Sequence, residues 1–123
     1  MPTLADLSPN IAIEFAALID GVWDGRMDPG LLERCRVRMC ELIGAPPDAG
    51  RHASTPTPAI DGPLVDDVLA FAELWIIDPH AITDDMAAAV RRHLNDREVA
   101  AFTIGLATIE AQARLAIALG ATS

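Results

Sequence analysis

Three prolines stand where only the first turn of a helix welcomes them, and this punctuation constrains the chain more than any other feature. Proline lacks an N–H and its ring crowds the preceding turn, so it suits the opening of a helix and breaks its interior. Ser8-Pro9 pairs a capping hydroxyl with such an opening, and Ile11, Phe15, Leu18, Ile19 and Val22 then recur at helical spacing up to about Trp23. Asp28-Pro29 repeats the signal, and that helix is expected to run to Gly44, a residue suited to a left-handed stop. A third helix should run from about Pro63 to Asp78, because Pro79 disfavours helix at the residue before it.

Two further starts carry caps without proline. Thr83 caps a short helix with Asp84 and Asp85 in its positive first turn. Asn95, with Glu98 three residues later, has the form of a capping box and opens a last helix that can reach Leu119 before Gly120 ends it. Between Gly44 and Pro63 the prolines and glycines crowd together, leaving room for one short helix after Pro47. No segment alternates with the period of a strand, and there is no internal repeat. The expected architecture is all-α: one domain over residues 1–123, a compact bundle of about five main helices.

Helix faces refine this. In the second helix Leu31, Leu32, Cys35, Met39 and Leu42 form one apolar stripe, while Arg34, Arg38 and Glu41 face away. Glu33 lies on a second strip with Val37 and Cys40, and a helix with two apolar strips packs on two sides. Glu33 is therefore a candidate for a partly buried carboxylate. The third helix carries a wide stripe including Val65, Val68, Phe71, Ala72 and Trp75, leaving Asp66, Asp67 and Glu73 for solvent or partners. In the last helix Val99, Phe102, Leu106, Ile109 and Ile117 make one face, and Ala101, Ile104, Leu115 and Leu119 make nearly the opposite one. Such a helix is central or shared between subunits, so a homo-oligomer is expected.

Composition excludes several functions. Nine basic against 18 acidic side chains give a net charge of −9, which disfavours nucleic acid and anionic membrane, both of which need a basic footprint. The uncharged run from Val99 to Ile109 is about half the ~20 residues a spanning helix needs, and Met1 to Asp6 lacks the basic start of a secretory signal. A cytoplasmic location is expected. A chain of this length buries roughly two-thirds of its unfolded surface, so its core needs neither disulfide nor metal. Without lysine there is no side-chain Schiff base and no phosphate-binding P-loop, and Ser8, Ser54 and Ser123 lie outside any nucleophile-elbow setting. His52, His80 and His93 lack metal-ligand spacing on one helix, so no metal and no cofactor are expected. Cys35 and Cys40 sit about 140° apart around a helix axis; they do not readily bridge and read as core thiols.

One stretch stands out, Gly44 to His52 (GAPPDAGRH). If a short helix begins at Pro47, Asp48 lies in its first turn and His52 one turn on, with Cβ atoms roughly 5–6 Å apart. A carboxylate beside an imidazole favours the imidazolium and orients the ring, which makes a sensible acid/base pair. The same spacing equally describes an ordinary Asp–His contact on a loop, and Gly50 weakens the helix.

The stretch LLERCRVRMCELIG (Leu31–Gly44) and the later LAFAELWIIDPHAITDDMAAAVRRHLNDREVAAFTIGLATIEAQARLAIALG (Leu69–Gly120) together resemble the carboxymuconolactone decarboxylase and alkylhydroperoxidase D-like superfamily. The resemblance implies an alkylhydroperoxidase D-like helical bundle that assembles as a homo-oligomer. In the peroxidase branch a glutamate, a C-x-x-C dithiol and a histidine act together. Glu33 falls on the glutamate and His52 on the histidine, but Ala45 and Asp48 replace the two cysteines. Peroxide reduction of that kind needs an attacking thiolate and a resolving thiol, which alanine and aspartate cannot supply. In the decarboxylase branch the second cysteine position can be a carboxylate, as in Asp48-x-x-x-His52. That branch implies proton-transfer chemistry on a small organic molecule: His52 moves the proton, Glu33 holds or tunes His52, and Asp48 orients the imidazole or acts as a second acid/base. Its carboxylate-bearing substrates need arginines in an acidic chain, and Arg51 and Arg114 are the candidates, although Arg114 also stands four residues after Glu110, within reach of an ion pair. The family's additional helix after the histidine has no counterpart in Ala53 to Gly62. The alternative function is a catalytically silent structural or small-ligand-binding protein.

Overall fold

The structure, a computed structural model, describes residues 3–53 and 56–120; Ser54 and Ser123 lie outside the described residues. Helix is the only regular secondary structure among the described residues, with no strand among them. Six α-helices follow in order: α1 (Leu4–Leu7), α2 (Pro9–Val22), α3 (Pro29–Ile43), α4 (Pro63–Ile77), α5 (Asp84–His93) and α6 (Asp96–Ala118), with a 3-10 turn at Pro79–Ala81. Five are main helices, and their bounds follow the punctuation closely.

Local chemistry explains most ends. Asp28 accepts from the Gly30 N–H ahead of Pro29, Thr83 accepts from the Met86 N–H, and Asn95 and Glu98 form the reciprocal capping box. Gly44, in the left-handed region at φ 80°, closes α3. Two expectations are corrected. Ser8 flanks α2 but its hydroxyl makes no cap bond; its N–H instead closes α1, a single turn too short to show periodicity, held by a Thr3–Asp6 capping box. No short helix forms after Pro47. Residues 47–50 make successive turns in which the Ala49 N–H bonds the Pro46 carbonyl and the Arg51 N–H bonds the Asp48 carbonyl. A helix would direct the Pro47 carbonyl to the Arg51 N–H, but that oxygen accepts from Arg36 instead.

α3 is the hub and packs most extensively on α4 and α6. Its two apolar strips become two buried sides: Leu31, Leu32, Cys35 and Met39 lie in the main core with Val68 and Ala72 of α4 and with Phe102, Leu106 and Ile109 of α6. The Phe71 ring tilts against Phe102 with centroids 5.9 Å apart. Across the start of α3 runs a strap: the Ala59 N–H bonds the Gly30 carbonyl, and Arg34 donates to the Ala59 carbonyl and pairs with Asp61. α2 leans on α6, with Val22 buried and Phe15 and Ile19 half-buried. Ile11 and Leu18, expected in the same stripe, remain exposed. No helix is long and apolar enough to cross a membrane among the described residues.

Candidate functional site

The second buried strip of α3 carries charge. Glu33 and Arg36 are one turn apart, both buried, and form a two-pronged ion pair: Nε donates to Oε1 at 2.6 Å and Nη2 to Oε2 at 2.7 Å. The remaining guanidinium nitrogen, Nη1, reaches off the helix and donates to the Pro47 carbonyl at 2.8 Å and the Ala49 carbonyl at 2.9 Å. The Cys40 thiol, one further turn along α3, donates to the same Ala49 carbonyl at 3.4 Å and lies 4.0 Å from Nη1. Glu33, Arg36 and Cys40 thus form one clamp that fixes the 47–49 turn onto α3. The hydrogen bond to Glu33 strengthens the hold of Arg36 on its proton.

His52 emerges from that turn and meets a different helix. Its Nε2 lies 2.9 Å from Asp20 Oδ1 of α2, and its ring stacks on Trp23 with centroids 6.1 Å apart. Asp48 is exposed on the turn itself, close enough for its charge to oppose ionisation of Cys40. The three expected site residues therefore have separate roles: Glu33 in the clamp, Asp48 on the outer surface of the turn, His52 against Asp20 and Trp23. Arg51 is exposed, and Arg114 donates to Glu110 at 3.0 Å, the intrahelical pair its spacing permits. Glu110 also accepts from the Trp75 indole at 3.2 Å.

Both thiols are held protonated. Burial pushes Cys35 up to about 12, and burial also raises Cys40, with Arg36 pulling the other way. A thiolate nucleophile needs the opposite environment. Arg36 and Asp20 escaped the sequence reading. Arg36 shares a strip with Glu33 at i,i+3, which was the available signal; Asp20, 32 residues from His52, left none. No protein-family model matches this chain, and no curated protein matches it as a relative.

Proposed function

We propose that this chain is a member of the carboxymuconolactone decarboxylase-like superfamily without dithiol chemistry, serving as a small-ligand-binding, homo-oligomeric helical protein. One observation carries the reading: both oxygens of Glu33 are occupied by Arg36, and the pair is committed to the backbone of the 47–49 turn. A relaying carboxylate must exchange protons with its neighbours, whereas this one faces a guanidinium that does not deprotonate in proteins. The protonated, buried thiols support the same reading. Self-association is supported by the apolar surface left uncovered: Ile11, Ile13 and Leu18 of α2, and on α6 an outward strip of Ala100, Ile104, Ala107 and Ala111.

The test is dithiol-dependent reduction of hydrogen peroxide and of an organic hydroperoxide by the purified protein. The expected result is no turnover above the protein-free rate; turnover that disappears in Cys40→Ser contradicts the reading. Sedimentation should give a multiple of the 13.1 kDa chain mass, and a mass of one chain in dilute solution removes the oligomer.

A second reading is favoured by the 2.9 Å contact between His52 and Asp20. In it His52 transfers a proton on a small organic molecule, Asp20 and Trp23 orient its ring, and Glu33 acts at a distance by ordering the turn that carries Asp48 and His52. Once an activity is known, His52→Gln should lower kcat by at least about 10²-fold under this reading, and an unchanged kcat eliminates it.

A further inference from the structure

We propose that the groove between the C-terminal end of α2 and the N-terminal half of α6 binds a singly charged amphipathic anion, an organic carboxylate with a short apolar body. The groove has two connected parts that share Arg26, Ala101 and Ile104. Its outer basin holds about 700 Å³ and is bordered by Arg26 and Arg97, with Asn95 and Glu98 beside them. Its inner cleft holds about 230 Å³ and is walled by Ala17, Leu18, Gly21 and Val22 of α2. A basic mouth thus opens onto an apolar floor, so that polar groups orient an occupant and apolar area holds it.

The charge at the mouth selects the head group. Arg97 has no ion-pair partner among the described residues, and Arg26 commits only its Nε, to Asp24 at 3.1 Å. Both side chains stand open to solvent, so a carboxylate in the basin reaches them without any change in the core. Glu98 is the one acidic residue in the lining, and its Oε1 already accepts the Asn95 N–H at 3.0 Å. Asp24, outside the lining, offsets part of the Arg26 charge. The small positive balance that remains matches a monoanion and not a polyphosphate, and a guanidinium pairs with both oxygens of a carboxylate. Gly21 points to the apolar body. It lies inside α2 without a positive φ, and a Cβ there would meet nothing within 4 Å. Neither backbone conformation nor close packing calls for glycine at that position, and glycine weakens a helix. Its effect is to keep the cleft open between Leu18 and Ile104, which are 47% and 52% exposed and which an apolar body would cover. The strip available for self-association continues past this groove to Ile11 and Ile13 on α2 and to Ala107 and Ala111 on α6.

This proposal deepens the ligand-binding reading and rests on it, yet the two fail separately, because probe binding can be lost while peroxide turnover stays at zero. The test titrates three probes into ¹⁵N-labelled protein at neutral pH and fixed ionic strength: hexanoate, its uncharged isostere hexanamide, and acetate, which keeps the charge and lacks the body. Hexanoate should bind about fivefold more tightly than either control and shift the backbone amides of Gly21, Arg97, Ala101 and Ile104. The double variant Arg26→Gln, Arg97→Gln, checked for unchanged helicity by circular dichroism, should bind hexanoate and hexanamide equally. Gly21→Leu, which fills the cleft without a clash, should weaken both and leave acetate unchanged. Equal binding of hexanoate and hexanamide by the unmodified protein overturns the proposal, as does acetate binding as tightly as hexanoate. Shifts that map elsewhere, no binding at millimolar probe, or a preference that survives in the arginine double variant overturn it too. Hexanoate affinity that falls as protein concentration rises also overturns it, because a second copy then occupies the groove.

Discussion

Arg36 has none of its surface exposed, yet each nitrogen of its guanidinium finds an acceptor. A buried cation needs such partners, because desolvation costs several kcal/mol per ion. That residue turned a suspected buried carboxylate into a structural clamp. Glu33 was legible as half-buried because Val37 and Cys40 share its strip, but its partner needed the 47–49 turn to come back over α3, and no local pattern announces that contact. The thiols make a separate prediction. Cys35 keeps its proton in the folded chain up to about pH 12, whereas in the unfolded chain it ionises near its ordinary value of 9.0. Its contribution to stability is therefore complete below pH 9 and is lost as the pH rises toward 12, by up to about 1.4 kcal/mol per pH unit. Urea unfolding between pH 8 and pH 11 should show this loss, with a shallower slope in Cys35→Ala; equal slopes count against it.

Among the elements, those bounded by caps were readable and the one bounded by distant contacts was not. Asn95 and Glu98 announce α6, and Asn95→Ala should cost about 1 kcal/mol in equilibrium unfolding, with no measurable loss as the contrary result. The irregular stretch before α4 follows different logic. Its turns and its strap are shaped by side chains and backbone of α3, namely Arg36, Arg34 and Gly30. A helix after Pro47 looked possible because local spacing allowed it; the Arg36 bond to the Pro47 carbonyl prevails. Gly30 shows how close the strap lies, since a Cβ there would stand 2.8 Å from the Thr57 carbonyl oxygen. Gly30→Ala should displace the strap and destabilise the chain by about 1–3 kcal/mol, with faster proteolysis between residues 53 and 62. Unchanged cleavage there contradicts the strap's role.

At the scale of the whole molecule, a chain without lysine fastens its helices with arginine and histidine against abundant carboxylates. His52 reaches Asp20 to join the turn to α2, and His93 reaches Asp67 at 2.8 Å to join α5 to α4. The all-α class, the order of the five main helices and the two-sided burial of α3 were legible, because capping and periodicity are local. The site was legible in part: its residue types stood out, but Glu33, Asp48 and His52 share a sequence pattern and not a set of partners. The account depends most on the Glu33–Arg36 clamp as a structural device. A double-mutant cycle by urea unfolding, using Glu33→Gln, Arg36→Met and the pair together, tests it directly. Each single change should cost about 3–5 kcal/mol, and the double change should cost at least about 2 kcal/mol less than their sum. Single effects that are small and additive to within about 0.5 kcal/mol would contradict the clamp.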